Sequence, residues 1–250
     1  MMDTTASITR NLPVLAFAAA LATLGVLSLI SGDFGFQWQP MPKSLPDRAT
    51  WATVIGGAEI LIALALVIPA SRTMAAVAAS SLYIFWALLH APKIVDSPMN
   101  VAAWLGAAEP FAIAMGALAL AFSRTMNSTL FDGCVRTFGV ACIIFGASHF
   151  AYAEFTAQMV PSWLPEQLLL AYVAGAIHAG CGLALLVGLL RQFAIIIEAA
   201  MMSSFVLLVH VPRVAAAPSN RFEWTMMCAA LLLTSAAWII AAEFRANRSV

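Results

Sequence analysis

The sequence predicts an all-α, polytopic membrane protein: eight transmembrane helices arranged as two parallel four-helix repeats. Three observations predict it. Apolar runs near 20 residues, the length that crosses about 30 Å of hydrocarbon, recur along the whole chain. Only 10% of the 250 residues are charged, against 62% hydrophobic, and the mean hydropathy is +0.92. A soluble domain carries roughly a quarter charged residues. Finally, one polar stretch occurs twice with the same spacing. The first copy reads His90-Ala-Pro92-Lys93, then Pro98, Asn100 and Trp104; the second reads His210-Val-Pro212-Arg213, then Pro218, Asn220 and Trp224. Each follows a long apolar run, so a whole unit was duplicated, with residues 1–125 as the first, diverged copy and 126–250 as the second.

The elements follow in order. The first span covers 12–30, with Pro13 suited to a first helical turn. It is too long for a signal-peptide core and lacks a clear small-residue cleavage site. Residues 31–50 hold Phe34, Phe36, Trp38, Pro40, Pro42 and Pro46, a composition that reads as an interfacial loop. Spans two, three and four cover 51–68, 73–90 and 101–122. The pattern then restarts with 136–155. The connection Met159-Val-Pro161-Ser-Trp163-Leu-Pro165 matches the Pro-x-x-x-Pro frame of Met41-Pro42-Lys-Ser-Leu-Pro46. Spans six, seven and eight cover 167–190, 192–210 and 223–242. Helices satisfy every backbone group inside a bilayer, which such loops and open strands do not.

Four spans per repeat bring both copies in from the same side, so the repeats are related by a pseudo-two-fold along the membrane normal. With the N-terminus inside, Arg10, Arg72, Arg124, Arg136, Arg191, Arg245 and Arg248 lie inside, and Lys43, Arg48, Lys93, Arg213 and Arg221 outside. Seven against five favours cytoplasmic termini. The expected location is a bacterial inner membrane. A net charge of zero leaves no basic surface for nucleic acid.

Ionisable residues within spans are costly and mark candidate sites. Glu59 and His178 fall well inside their helices and correspond by repeat alignment, which suggests a facing pair. His90, His210, Glu109, His149 and Glu154 lie toward the side bearing the Pro-rich loops, and Glu198 toward the other. That asymmetry predicts a polar cavity open on the loop side. Its candidate ligand-binding residues are Glu59, His90, Lys93, His149, Trp163, His178, His210 and Arg213. Lys93 and Arg213 belong at its mouth, with Pro92 and Pro212 ending their helices. Bland readings stand beside these. The His-Pro-base stretch also fits an interfacial anchor. Trp38 and Trp163 fit an aromatic belt, and the glycines fit close helix contact. The four cysteines, none in a CxxC pair, read as small buried hydrophobes rather than a thiol pair or soft-metal site. No HExxH, Walker A, GxGxxG or CxxCH pattern occurs, so no residues specify a metal or haem.

The second half resembles a known family. Phe145-Gly-Ala-Ser-His149-Phe150, the Met159 to Pro165 loop, Ala171-Tyr172-Val-Ala-Gly175-Ala-Ile-His178 and Val209-His-Val-Pro-Arg213 look like the DoxX-like bacterial membrane proteins, over roughly residues 136–242. That resemblance implies a four-helix unit and an accessory, non-catalytic part in a membrane redox or stress system. It implies a quinone-like or other amphipathic ligand in the cavity, with membrane lipid and other redox subunits as partners. A homo-oligomer is compatible with it. Two other classes compete: a small-molecule or proton transporter that titrates Glu59 and His178, and a purely structural assembly partner.

Overall fold

The computed structural model describes the backbone of residues 2–123 and 128–246, and the side chains of 11–122 and 129–244. Its eight long apolar helices are α1 (Asn11–Ser31), α2 (Arg48–Val67), α3 (Arg72–Asp96), α4 (Val101–Phe122), α5 (Thr129–Ala151), α6 (Gln167–Val187), α7 (Arg191–Ala216) and α8 (Arg221–Phe244). Each has the length and composition to cross a membrane. The chain is a multi-pass membrane protein. The helical backbone of α1 begins upstream, at Met2, so Pro13 lies inside a helix and not in its first turn. Arg124 and Arg248, with the side chains of Arg10 and Arg245, lie outside the described residues.

The duplication is visible in the packing. Gly25 on α1 meets Gly56 on α2, and Gly146 on α5 meets Gly175 on α6, the counterpart pair. A Cβ on Gly56 would sit 2.7 Å from the Gly25 carbonyl oxygen, and one on Gly146 would sit 2.7 Å from that of Gly175. Only glycine lets the backbones come this close, which is how membrane helices gain contact without a hydrophobic drive. Arg72 and Arg191 cap the ends of α2 and α6 in the same way, donating from Nε to the carbonyls of Leu66 and Leu185.

The repeats join along α4 and α8, with α1 packed on α8 and α5 on α4. Gly116 of α4 presses on Ala236 of α8, its own repeat counterpart. A contact between equivalent residues places the pseudo-two-fold axis between them. Because α4 and α8 cross in the same direction, that axis runs along them, as the even span count requires.

The duplicated polar stretch is in part a helix-start device. The Asn100 side-chain oxygen accepts from the Ala102 N–H (2.9 Å), and Asn220 does the same for Phe222 (3.0 Å). The Trp104 and Trp224 indoles donate to the carbonyls of Pro98 and Pro218 (2.9 and 2.8 Å). Pro92 and Pro212 do not end their helices. They sit in the first turn of short helical segments, Ala91–Asp96 and Val211–Ala216, where a missing N–H costs nothing.

One difference separates the copies. The stretch from Arg191 to His210 is one residue longer than that from Arg72 to His90. A π-helical turn at Val206–His210 takes up the extra residue, so Pro212 and Arg213 keep step with Pro92 and Lys93.

Candidate functional site: a cavity in the second repeat

The second repeat encloses an open cavity of about 760 Å³ on the side that carries the Pro-rich connections. Its walls come from the ends of α5, α6 and α7 and the beginning of α8, with Leu105 and Glu109 of α4 and Trp38 of the first connection at one edge. Most of the lining is apolar. Its polar groups are few and include His149, His178, His210, Ser204 and Thr234. A mainly apolar pocket with a few fixed polar groups is the usual form of a small-molecule site.

Two of these histidines form a cluster. His178 is buried, and its Nδ1 lies 2.5 Å from Oε1 of the buried Glu198. Its ring is 5.1 Å from that of His149, whose Nδ1 lies 3.2 Å from the Ala171 carbonyl oxygen. Phe205 stacks on His149 and tilts against His178, and Phe145 meets His178 edge-on. Glu198 holds Nδ1, so Nε2 is the ring nitrogen of His178 left for the cavity. A buried pair of this kind survives in a membrane only as a partnered unit. His210 and Thr234 also line the cavity, 8% and 5% exposed. Their Nδ1 and Oγ1 atoms have no partner among the described residues. A buried polar atom in that state costs about 1–3 kcal/mol.

The first repeat builds the same chamber and fills it with its own chain. Within residues 34–39, Phe34, Trp38 and Gln39 are buried inside the protein. The Gln39 amide donates to Oε1 of Glu59 (2.6 Å) and its oxygen accepts from the Gly35 N–H (2.7 Å). Phe34 packs edge-on against Trp86, 6.0 Å between centroids. Glu59 is the repeat counterpart of His178, and Trp86 of Phe205. Leu24, Tyr83, Pro110 and Ile113 line a remnant of about 10 Å³ beside Gly35, Trp38 and Gln39. Their counterparts Phe145, Met202, Ala230 and Leu233 all line the large cavity. The plug is held from outside as well. Arg221 of α8 donates to the Phe34 carbonyl and lies over the Phe36 ring, while Arg48 pairs with Asp33 at 2.6 Å.

A family model described as Domain of unknown function (DUF8561) matches the chain twice, over residues 17–122 and 138–245. The chain belongs to this family. It carries two DUF8561 units in tandem, which is the four-plus-four division read from the helices. No curated protein and no solved structure matches it.

Within these two DUF8561 units the expected site residues separate. His149, His178 and His210 come together around the cavity. Glu59 and His178 do not face each other: each has its own partner, Gln39 and Glu198, inside its own repeat. Glu198, placed toward the opposite side by counting from segment ends, is level with His178. His90 is buried against Gly106 and does not line the cavity. Lys93 is exposed, and Trp163 is 69% exposed; neither lines it. Arg213 grips Glu223 with two bonds of 2.8 Å, tying the end of α7 to the start of α8. Its fork is used on Glu223, and Arg213 does not line the cavity. The counterpart of Glu223 is Ala103, which explains why an arginine is kept only in the second copy. All four cysteines are buried and unbridged.

Sequence reading missed Gln39, Phe205 and Thr234. The first had a signal, a lone amide between aromatics and prolines. The second had one in the alignment of Phe205 with Trp86. Nothing local marks Thr234.

Proposed function

We propose that the protein is an accessory, non-catalytic membrane component that holds one lipid-soluble, amphipathic molecule in the cavity of its second repeat. The observation that supports this best is the asymmetry between chambers of common origin. One is closed by the chain itself; the other is an apolar chamber with three histidines in its wall. A cavity near 760 Å³ matches a drug-sized or quinone-sized molecule. The expected setting is a membrane redox or stress system of the DoxX-like kind, in a bacterial inner membrane with the cavity toward the periplasm. The transport reading loses its support, since it needed Glu59 and His178 as one titrating pair.

The test is extraction and mass spectrometry of the protein purified in native-lipid nanodiscs. Wild type is expected to carry one small amphiphile enriched over the surrounding lipid. Ala174→Phe, which fills the cavity from α6, is expected to lose it while remaining folded. Equal content in the two proteins would refute the reading.

A further inference from the structure

The chain contains a template for what its cavity takes. In the first repeat, residues 34–39 present an aromatic ring to Trp86 and an amide to Glu59. In the second repeat the equivalent positions are Phe205 and His178, and both face the cavity. The connection of that repeat runs along the rim: Met159, Val160, Pro161 and Leu164 line the cavity, and Trp163 turns outward. The fold therefore builds one seat twice, and the second is open to a ligand with a ring and a polar group at the same two places.

The polarity of the seat is set by the exchange of Glu59 for His178. Glu59 accepts from the Gln39 amide. Glu198 occupies Nδ1 of His178, so the polar atom offered to the cavity is Nε2, a ring nitrogen where the first repeat has a carboxylate. As a donor in place of that acceptor, Nε2 would take a ligand group such as a carbonyl oxygen. Thr234 adds a hydroxyl with no partner among the described residues, and His210 a ring nitrogen in the same state. These are buried groups waiting for polar atoms of the ligand.

Val173 of α6 and Leu208 of α7 both line the cavity, and both side chains are exposed, 43% and 40%. Exposed wall residues on two membrane-length helices are where a lateral opening, or window, would lie. Leu208 lies in the π-helical turn that the first repeat lacks. Such one-residue insertions re-aim side chains and concentrate at functional sites.

We propose that the second repeat receives, from the bilayer between α6 and α7, a ring compound carrying a carbonyl acceptor and a hydrocarbon tail. Its ring takes the place of Phe34 against Phe205, its carbonyl accepts from His178 Nε2, and its tail stays in the window. This rests on the binding reading above and adds the chemistry of the headgroup and the entry route.

The experiment titrates the full chain in nanodiscs with a decyl-tailed benzoquinone and with the same ring lacking the tail. Saturable binding of the tailed probe is expected, with the tail-less ring bound at least tenfold more weakly. His178→Leu is expected to weaken the tailed probe by about tenfold, the value of one buried hydrogen bond. Leu208→Trp is expected to slow its association without changing the melting temperature. Because His178→Leu also strips Glu198 of its partner, Thr234→Val serves as a second, shape-conserving variant, expected to weaken binding by several-fold. Unchanged affinity in both His178→Leu and Thr234→Val would overturn the headgroup assignment. Equal binding of tailed and tail-less rings would overturn the lateral route. If the probe fails to bind or to displace a co-purified amphiphile, the headgroup chemistry is wrong while the binding reading survives. If no amphiphile co-purifies either, both fall.

Discussion

The residue that separates the two halves is Gln39. It lies 2.6 Å from a fully buried carboxyl group that has no other partner among the described residues on that oxygen. Gln39→Ala should destabilise the protein by about 1–3 kcal/mol, because Glu59 is left buried without its donor. Replacing both, Gln39→Leu with Glu59→Leu, should recover most of the loss, since the apolar pair leaves nothing unsatisfied. Thermal unfolding in detergent as a double-mutant cycle checks this; additive losses would contradict it. Glu59 was legible as a functional candidate from its position in a span. Its partner was not, because nothing in the sequence says that a loop 20 residues upstream dips into the helices.

Asp33 anchors the same plug from outside the membrane spans. Burial opposes its ionisation. The Phe34 N–H and the Arg48 guanidinium, with the field of Arg221, outweigh that and hold its carboxyl below the ordinary value of 3.8. A depressed carboxyl contributes stability above its unfolded value and loses it as pH falls through the folded one. The side chain is half-exposed, so the contribution is small. Asp33→Asn should lower the melting temperature slightly at neutral pH and remove part of the decline expected below about pH 4. An unchanged acid limb would show that the pair with Arg48 contributes nothing.

At the scale of elements, helix contact rests on glycine. The Gly25 and Gly56 pair and the Gly146 and Gly175 pair meet through backbone, with no flexible side chain to yield. Gly146→Ala should therefore destabilise by about 1–3 kcal/mol. Gly57→Ala, with nothing within 4 Å of the new methyl, should be neutral or better. Equal thermal shifts would refute the close-packing account. The sequence made this partly readable, since the glycines stand out in helical runs, but spacing alone does not say which glycine faces which helix. The π-helical turn was hidden for a different reason. Matching polar stretches on both sides conceal a single inserted residue, and only the offset between Arg191 and His210 betrays it. Deleting Leu207 should restore an α-helical register and keep the fold, with Arg213 still paired to Glu223. It should also narrow the window between α6 and α7 and abolish binding of the tailed probe.

At the scale of the whole molecule, the eight spans, the duplication and the parallel axis were all legible. They depend on composition, run length and an even count, which no packing detail overrides. The loop-side cavity was legible as a bias in where histidines fall. Its confinement to one repeat was not, because that follows from residues 34–39 filling one chamber, held by Arg221 from the other repeat. Arg213 was misread for a similar reason: its partner Glu223 lies across a turn, and sequence distance does not show a bidentate pair.

The central claim is that one seat is built twice, closed by the chain in the first repeat and left for a ligand in the second. The number of probe molecules bound per chain tests it most directly, by native mass spectrometry of nanodisc-derived protein at saturating decyl-tailed benzoquinone. The account predicts one in wild type, none at the same concentration in Ala174→Phe, and a second on opening the first chamber with Phe34→Ala and Gln39→Ala together. Two molecules in wild type, or loss of the single molecule when the first chamber is opened, would contradict it.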